Sequence, residues 1–282
     1  RPADAPPPLI ERMLEAARTV MAQAGVKPAQ VAAVGVGAPG PLDIEAGILI
    51  SPPNLPGWTR VPLKKHIQDR LQIATFLEND ANAAGLGEYR FGAGRGVQHM
   101  VYVTVSTGIG GGLILDGKLH HGSSGAAGEI GHTTIKPDGP RCNCGNWGCL
   151  EALASGTAIA REGRERLARG VPTLIAELAG GVPERVTAKL VAEAATRGDV
   201  EAQRILAEAM EYLGIGIANL INLCDPELVV IGGGLANLGE RLFEPVRRVV
   251  AERAYVAKAH PVGIVPAALG DNVGVLGAAA VA

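Results

Sequence analysis

Ile73-Ala74-Thr75-Phe76-Leu77-Glu78-Asn79-Asp80-Ala81-Asn82-Ala83-Ala84-Gly85-Leu86-Gly87-Glu88-Tyr89 is the stretch that decides the fold class. Ile73 to Leu77 reads as a buried strand, and from about Asp80 to Tyr89 the pattern becomes helical. Between them stand three polar residues, Glu78-Asn79-Asp80, where open α/β sheets present ligand-binding groups beyond their strand ends. An aspartate here can accept a hydroxyl proton, and Asn79 offers both a donor and an acceptor. Asp80 equally suits a helix N-cap.

The same alternation extends both ways. Upstream, Leu63 to Leu71 is helical, and Val31 to Val36 is a short apolar run closed by Gly37-Ala38-Pro39-Gly40-Pro41. Leu9, Met13, Ala16, Ala17 and Val20 recur at helical spacing before a stop at Gly25. Downstream, the three glycines of Phe91-Gly92-Ala93-Gly94-Arg95-Gly96 mark a boundary or hinge. Met100 to Ser106 and Gly112 to Leu115 are strand-like, and Asp116-Gly117 supplies a hairpin turn. A long apolar-periodic helix runs from Asp199 to Leu223, followed by a strand at Leu228 to Ile231, Gly232-Gly233-Gly234 and another helix. Asn272 to Ala282 is again helical. Strands alternating with helices predict an α/β protein with a mostly parallel sheet, in two lobes with a cleft between them. The expected lobes are residues 1–96 and 97–271, with 272–282 returning to the first. No repeat of solenoid length is present.

At 282 residues the chain exceeds a usual domain of about 100 to 200 residues, consistent with that division. Hydrophobic residues at 47% with aromatics at 3% describe an Ala-, Val- and Gly-rich interior rather than a disordered chain. A net charge of −2 without a long basic run argues against nucleic acid as the main partner. No apolar stretch approaches the roughly 20 residues of a membrane span, and nothing reads as a secretory signal, so a cytoplasmic location with no membrane partner is expected.

Three of the four cysteines fall in Cys142-Asn143-Cys144-Gly145-Asn146-Trp147-Gly148-Cys149, ten positions after His132 and beyond a Pro137-Asp138-Gly139 turn. Zinc favours four tetrahedral sulfur or nitrogen ligands, and short glycine-containing spacers let thiolates converge, so His132, Cys142, Cys144 and Cys149 read as a structural zinc site. An odd number of clustered cysteines in a reducing compartment argues against a disulfide. Cys224 reads as an ordinary buried cysteine.

Thr107-Gly108-Ile109-Gly110-Gly111-Gly112 lies between two strands, where bare N–H groups can form an anion nest for phosphates. Ordinary tight turns use glycine as well, and neither this loop nor Gly232-Gly233-Gly234 matches a Walker A or dinucleotide pattern. Glu129, in Glu129-Ile130-Gly131-His132, and Glu151 put two carboxylates beside the cysteine cluster. They read either as hydroxyl-binding groups or as surface and supporting carboxylates. A metal-bound His132 keeps its second ring nitrogen for a hydrogen bond outward.

In this order the segments resemble the ROK family, which groups bacterial sugar kinases with sugar-responsive repressors, and the match spans nearly the whole chain. The resemblance rests on Glu78 to Asn82, Ser106 to Gly112, Glu129 to His132 and Cys142 to Glu151. It implies an actin-like ATPase (ribonuclease H-like) fold with ATP on the larger lobe. Asp80 is then implied as the base for a sugar 6-hydroxyl, with Mg²⁺ on the transferred phosphates. Asn79, Glu129, His132 and Glu151 are implied sugar ligands, with Asn54 a further one. Thr107, Gly108 and Gly110 would face the phosphates, and Gly232, Gly233 and Gly234 the adenosine. Pro52-Pro53-Asn54-Leu55-Pro56-Gly57-Trp58 resembles the glucokinase members, which makes glucose the expected acceptor. A homodimer or tetramer is also expected.

The family's N-terminal strand pair, with its Asp-x-Gly-Gly-Thr phosphate loop, would precede the helix near Leu9 and is expected in the complete protein. Fructose, allose or N-acetylmannosamine kinases share the motifs. So does the other class of reading, the effector-binding domain of a ROK repressor.

Overall fold

The computed structural model describes residues 6–52 and 54–282; Pro53, within the Pro52 to Trp58 stretch, lies outside them. In chain order the elements are α1 (Pro6–Gln23), β1 (Val34–Ala38), β2 (Leu42–Asp43), β3 (Ile48–Leu49), α2 (Leu63–Leu71), β4 (Thr75–Asn79) and α3 (Asp80–Phe91). There follow β5 (Met100–Val105), β6 (Ile109–Leu115), β7 (Lys118–Leu119), α4 (Leu150–Ala154), α5 (Gly156–Ala168), α6 (Leu174–Leu178) and α7 (Ala188–Thr196). The chain closes with α8 (Val200–Cys224), β8 (Leu228–Gly232), α9 (Glu240–Arg253), β9 (Gly263–Pro266) and α10 (Val273–Val281).

These elements form two compact units. One comprises Arg1–Gly96, Gly112–Gly128 and Ala268–Ala282; the other Val97–Gly111 and Glu129–Ala267. The sequence pattern suggests a single cut after Gly96, yet Gly112–Gly128 belongs with the first unit. The cause is local: a Cβ on Gly112 would stand 3.2 Å from the Cα of Asn82 in α3, and His121 bonds to Glu78.

In the first unit, β1 and β4 pair in parallel from Val34↔Thr75 to Ala38↔Asn79. Both strands run two residues past the apolar runs that announce them, so Gly37-Ala38 and Glu78-Asn79 are strand rather than loop. Glycine is needed inside β1 because a Cβ on Gly35 would collide with the Ala278 carbonyl of α10. Gly87 and Gly277 likewise let α3 and α10 approach closely. Helix α1 buries Ile10 and Leu14, with Leu9, Met13 and Ala17 packed partly buried beside them, and leaves Ala16 and Val20 of the predicted face exposed. Trp58, Leu49, Ile67 and Leu77 complete that core, each burial stabilising by about 1.5–3 kcal/mol. Glu88 is fully buried in α3. Its carboxylate accepts the N–H groups of Ala93, Ala268 and Leu269 at 2.9, 3.1 and 2.9 Å, which offsets the cost of a buried charge.

In the second unit, β8 lies parallel to β5 (Met100↔Leu228 to Thr104↔Gly232) and to β9 (Leu228↔Gly263 to Ile231↔Pro266). Strand β6 begins at Ile109, three residues earlier than the pattern suggests. Its glycines serve close packing, since a Cβ on Gly111 would run into Ile130 and the Tyr102 carbonyl. The predicted turn after β6 is present: Asp116 and Gly117 have φ of 51° and 71°, as a two-residue hairpin requires. Asp199 caps the 25-residue α8. Gly214 and Gly216 let Val249 of α9 and Leu150 of α4 reach its backbone. Among the described residues no helix is long and apolar enough to cross a membrane.

Candidate active site and metal centre

Asn79, not Asp80, is the N-cap of α3. Its Oδ1 accepts the N–H groups of Ala81 and Asn82 at 2.9 and 3.1 Å. Asp80 is the first helical residue, and its carboxylate accepts the Ala81 N–H at 2.8 Å. Solvent reaches its side chain, yet the protein around the carboxyl desolvates it enough to raise its pKa above the ordinary 3.8. That effect outweighs the lowering by the N–H groups of Ala81 and Asp80 itself. A carboxylate of raised basicity at a strand end is suited to receive a proton. The capping also commits the Asn79 oxygen and leaves its amide NH₂ for a ligand.

Glu78 turns inward beside them. Its Oε1 accepts the Asn79 N–H at 2.9 Å and the Asn82 Nδ2 at 3.0 Å, and its Oε2 lies 2.7 Å from Nε2 of His121. Asn54 stands exposed in the turn before Trp58.

The second unit holds the cysteine cluster. Gly145 and Gly148 have φ of 94° and 63°, and a bridge between Arg141 and Trp147 folds the loop back on itself. A second bridge, Thr134 to Cys149, brings the His132 turn alongside. As a result the ligand atoms of His132, Cys142, Cys144 and Cys149 all lie within 4.8 Å of one another. Cys144 and Cys149 are 3.7 Å apart at Sγ, and Cys142 Sγ is 3.7 Å from Nδ1 of His132. Two sulfurs at about 2.3 Å from one tetrahedral ion stand roughly 3.8 Å apart, so the four residues fit a metal ion of zinc's size.

Burial also sets the protonation of these thiols. Burial pushes Cys142 up and Cys149 up to about 12, while the Asn146 N–H draws Cys144 down. Cys142 and Cys149 therefore hold their protons unless a cation in the cluster draws them off as thiolate ligands. Cys224 is half-buried and stands apart from the group.

Cys149 is the N-cap position of α4, and Glu151 lies in that helix's first turn. The Glu151 Oε2 accepts the Ile109 N–H at 3.0 Å, and its Oε1 lies 3.9 Å from Cys142 Sγ. Gly108 packs against this carboxylate so closely that a Cβ there would clash. Glu129 is exposed, with its Oε2 3.9 Å from Nε2 of His132, the ring nitrogen turned away from Cys142.

Beyond Thr107 the second unit opens into a cavity of about 660 Å³. Its wall includes Thr107, Thr157, Arg164, Thr187, Lys189 and Gly234. Helix α5 begins at the cavity, with Ser155 as N-cap and the Gly156 N–H bonded to the Ser106 carbonyl at 2.8 Å. Two cationic side chains, four hydroxyl residues with Ser106 included, and a helix N-terminus around an apolar hollow suit a ligand with a flat apolar part and an anionic tail. Of the predicted phosphate-loop and adenosine glycines only Gly234 lines this cavity, beside Thr107. Gly110 lies within β6, Gly232 ends β8, and Gly233 turns the chain at a φ of 84° against the Val105 backbone.

Sequence reasoning overlooked Glu78, Asn82 and His121 as a bonded group, and Thr157, Arg164, Thr187 and Lys189 as cavity residues. The Ser155-Gly156-Thr157 helix start is a readable signal for part of the second set. Nothing in the spacing of Glu78 and His121 announces their contact.

The sequence profile of the ROK family matches residues 1–282. The glucokinase of Thermotoga maritima is 44% identical over 248 residues, 88% of this chain and 78% of that one. The xylose repressor of Caldicellulosiruptor bescii is 35% identical over 250 residues, 89% of this chain but 62% of the repressor. Among solved structures, the ROK hexokinase of Thermus thermophilus superposes with a TM-score of 0.82 at 37% identity, covering 99% of this chain and 87% of that one. The ROK glucokinase of Streptomyces griseus, solved with glucose and AMPPNP, gives 0.80 at 36% identity over 95% and 86% of the two chains. A profile spanning the sequence, close relatives and a shared backbone agree, and the chain belongs to the ROK family, with its actin-like ATPase fold.

Proposed function

We propose that this chain is an ATP-dependent hexokinase that forms glucose 6-phosphate, with Asp80 as general base. The observation that carries the reading is Asp80 itself, a carboxylate of raised pKa at the end of β4, left accessible because Asn79 caps the helix. Its proton partner is the sugar's 6-hydroxyl. As that oxygen bonds to the γ-phosphorus, the bond to the ADP oxygen breaks and the hydroxyl proton passes to Asp80. Phosphoryl transfer depends mainly on positioning and charge stabilisation, so the residues around the reacting atoms matter more than covalent chemistry.

The sugar's other hydroxyls fall to the amide of Asn79 and to Asn54, Glu129, His132 and Glu151. ATP, with Mg²⁺ on its phosphates, is assigned to the cavity beside Thr107, its base near Gly234 and its phosphates toward Thr107, Gly108 and Gly110. Gly232 and Gly233 shape the turn into that wall. His132, Cys142, Cys144 and Cys149 would hold Zn²⁺, whose charge keeps the thiolates deprotonated and fixes the His132 ring. Nδ1 is the nitrogen turned to the cluster, which leaves Nε2 for a hydroxyl. A cytoplasmic homodimer or tetramer is part of the same proposal.

Glucose is preferred because the relatives include glucokinases at 44% and 36% identity. The similarity to xylose repressors supports a second reading, a sugar-sensing domain that binds without turnover. ADP release measured with glucose, mannose, fructose, allose, xylose and N-acetylmannosamine separates the two. Turnover fastest with glucose is expected. Saturable sugar binding with no ADP release would favour the sensor.

A further inference from the structure

We propose that Glu78 and His121 form a clamp that positions the Asp80 turn, with His121 a positioning residue acting through Glu78. The inference rests on the kinase reading for its catalytic consequence, but the clamp is defined by geometry alone. Glu78 sits two residues before Asp80 at the end of β4, with its side chain only 4% exposed. It accepts three donors: the Asn79 N–H, the Asn82 side-chain amide and the His121 ring. One oxygen thus grips both the residue before Asp80 and a residue one turn into α3; the other reaches a different segment of the chain.

That segment is a closed loop. The His121 carbonyl accepts the Ala127 N–H at 3.0 Å, and a Cβ on Gly125, inside the loop, would lie 3.4 Å from Ile44. Past Ala127 the chain passes through Gly128 to Glu129, a proposed sugar ligand. His121 therefore ties the Asp80 turn to the segment that leads directly into Glu129.

Two features set the contact apart from ordinary core packing. The His121 side chain is 41% exposed, so its removal opens no internal cavity. Asn82 is 2% exposed and its Oδ1 has no partner among the described residues; its side-chain amide is held by the bond to Glu78. Three donors on one side chain also fix its chemistry. A carboxylate accepts at both oxygens, whereas an amide has one acceptor, so with Asn79 and Asn82 on its oxygen it meets His121 only after the ring has switched tautomer.

The test compares the full chain carrying His121→Asn, His121→Gln or Glu78→Gln with wild type. Displacing a base by about 1 Å costs up to 100-fold in rate, so His121→Asn and Glu78→Gln are expected to lower kcat by roughly ten-fold or more. KM for ATP should stay within about two-fold in both, and thermal unfolding nearly unchanged in His121→Asn, as suits an exposed ring. His121→Gln keeps a donor near the Nε2 position and should recover most of the rate. Amide hydrogen exchange at Ala81, Asn82 and Ala127 should speed up in His121→Asn and Glu78→Gln, a readout that needs no catalysis. Wild-type kcat in His121→Asn, or unchanged exchange at those amides, overturns the clamp. If wild type itself proves inactive with every sugar, the kinase reading fails while the exchange data still decide the clamp.

Discussion

Asn79 and Asp80 divide the start of α3 between them: the Asn79 oxygen takes the N–H groups of Ala81 and Asn82, and the Asp80 carboxylate shares that of Ala81 but leaves that of Asn82 to its neighbour. Had Asp80 been the cap, its charge would also take the donors now held by the Asn79 oxygen, which lowers basicity further. With the neighbour capping, burial dominates and the pKa rises.

The pH dependence of kcat/KM follows from that. The base must be ionised, so activity is full above the Asp80 pKa and falls as pH drops through it. Because burial raises that value, the acid limb should lie above 3.8, the ordinary carboxyl value. Stopped assays across the acid range measure it, and a limb at or below 3.8 contradicts the assignment.

Elemental analysis should find one zinc per chain. Cys149→Ser and treatment with a strong chelator should both remove it, since closed four-ligand sites tolerate little loss. Glucose affinity, measured by calorimetry, is expected to weaken before the second unit unfolds, because His132 loses its orientation. Unchanged glucose affinity in metal-free protein would return the site to a purely structural role.

Asp199 provides a stability test far from the chemistry. Its carboxylate accepts the N–H groups of Ala202 and Leu174 at 2.7 and 2.6 Å and the Thr173 hydroxyl at 2.9 Å. Burial pushes its pKa up, but those bonds outweigh it and the net shift is downward. A lowered native pKa means stabilisation that is present above the unfolded value of about 3.9 and lost as pH falls through the native one. Asp199→Ala should cost about 1–2 kcal/mol in urea unfolding at neutral pH, and the difference should shrink in acid. An equal difference at both pH values would rule out the charged cap.

The cavity beyond Thr107 can be filled from α7, where Ala192 forms part of its wall. Ala192→Phe should raise KM for ATP by about ten-fold, equivalent to 1.4 kcal/mol of lost binding, while KM for glucose stays constant. An unchanged KM for ATP would place the nucleotide elsewhere.

Much of this was legible in the residues. The four metal ligands stand together as their spacing implies, because short glycine spacers leave few other ways to fold the loop. Strand β4, helix α3, the Asp116-Gly117 turn and the long α8 follow from local pattern and turn chemistry. Strand ends were less legible. Gly37 and Gly111 read as loop residues, yet both lie in strands; at Gly111 the cause is tight packing against Ile130 and Tyr102, a tertiary effect that outweighs local propensity. Helices α4 to α7 and strand β9 carried too little periodic signal to be placed. The phase of α1 was ambiguous because Leu9 and Ile10 begin equally plausible apolar stripes. Contacts such as Glu78 with His121, 43 positions apart, depend on the fold itself.

The most direct test of the central claim is Asp80→Asn, assayed for ATP-dependent glucose phosphorylation beside wild type, with glucose binding measured on the same samples. Loss of a positioned base costs about 10²- to 10⁴-fold, so kcat should fall by at least 100-fold while glucose still binds. A variant that retains wild-type kcat would contradict the account.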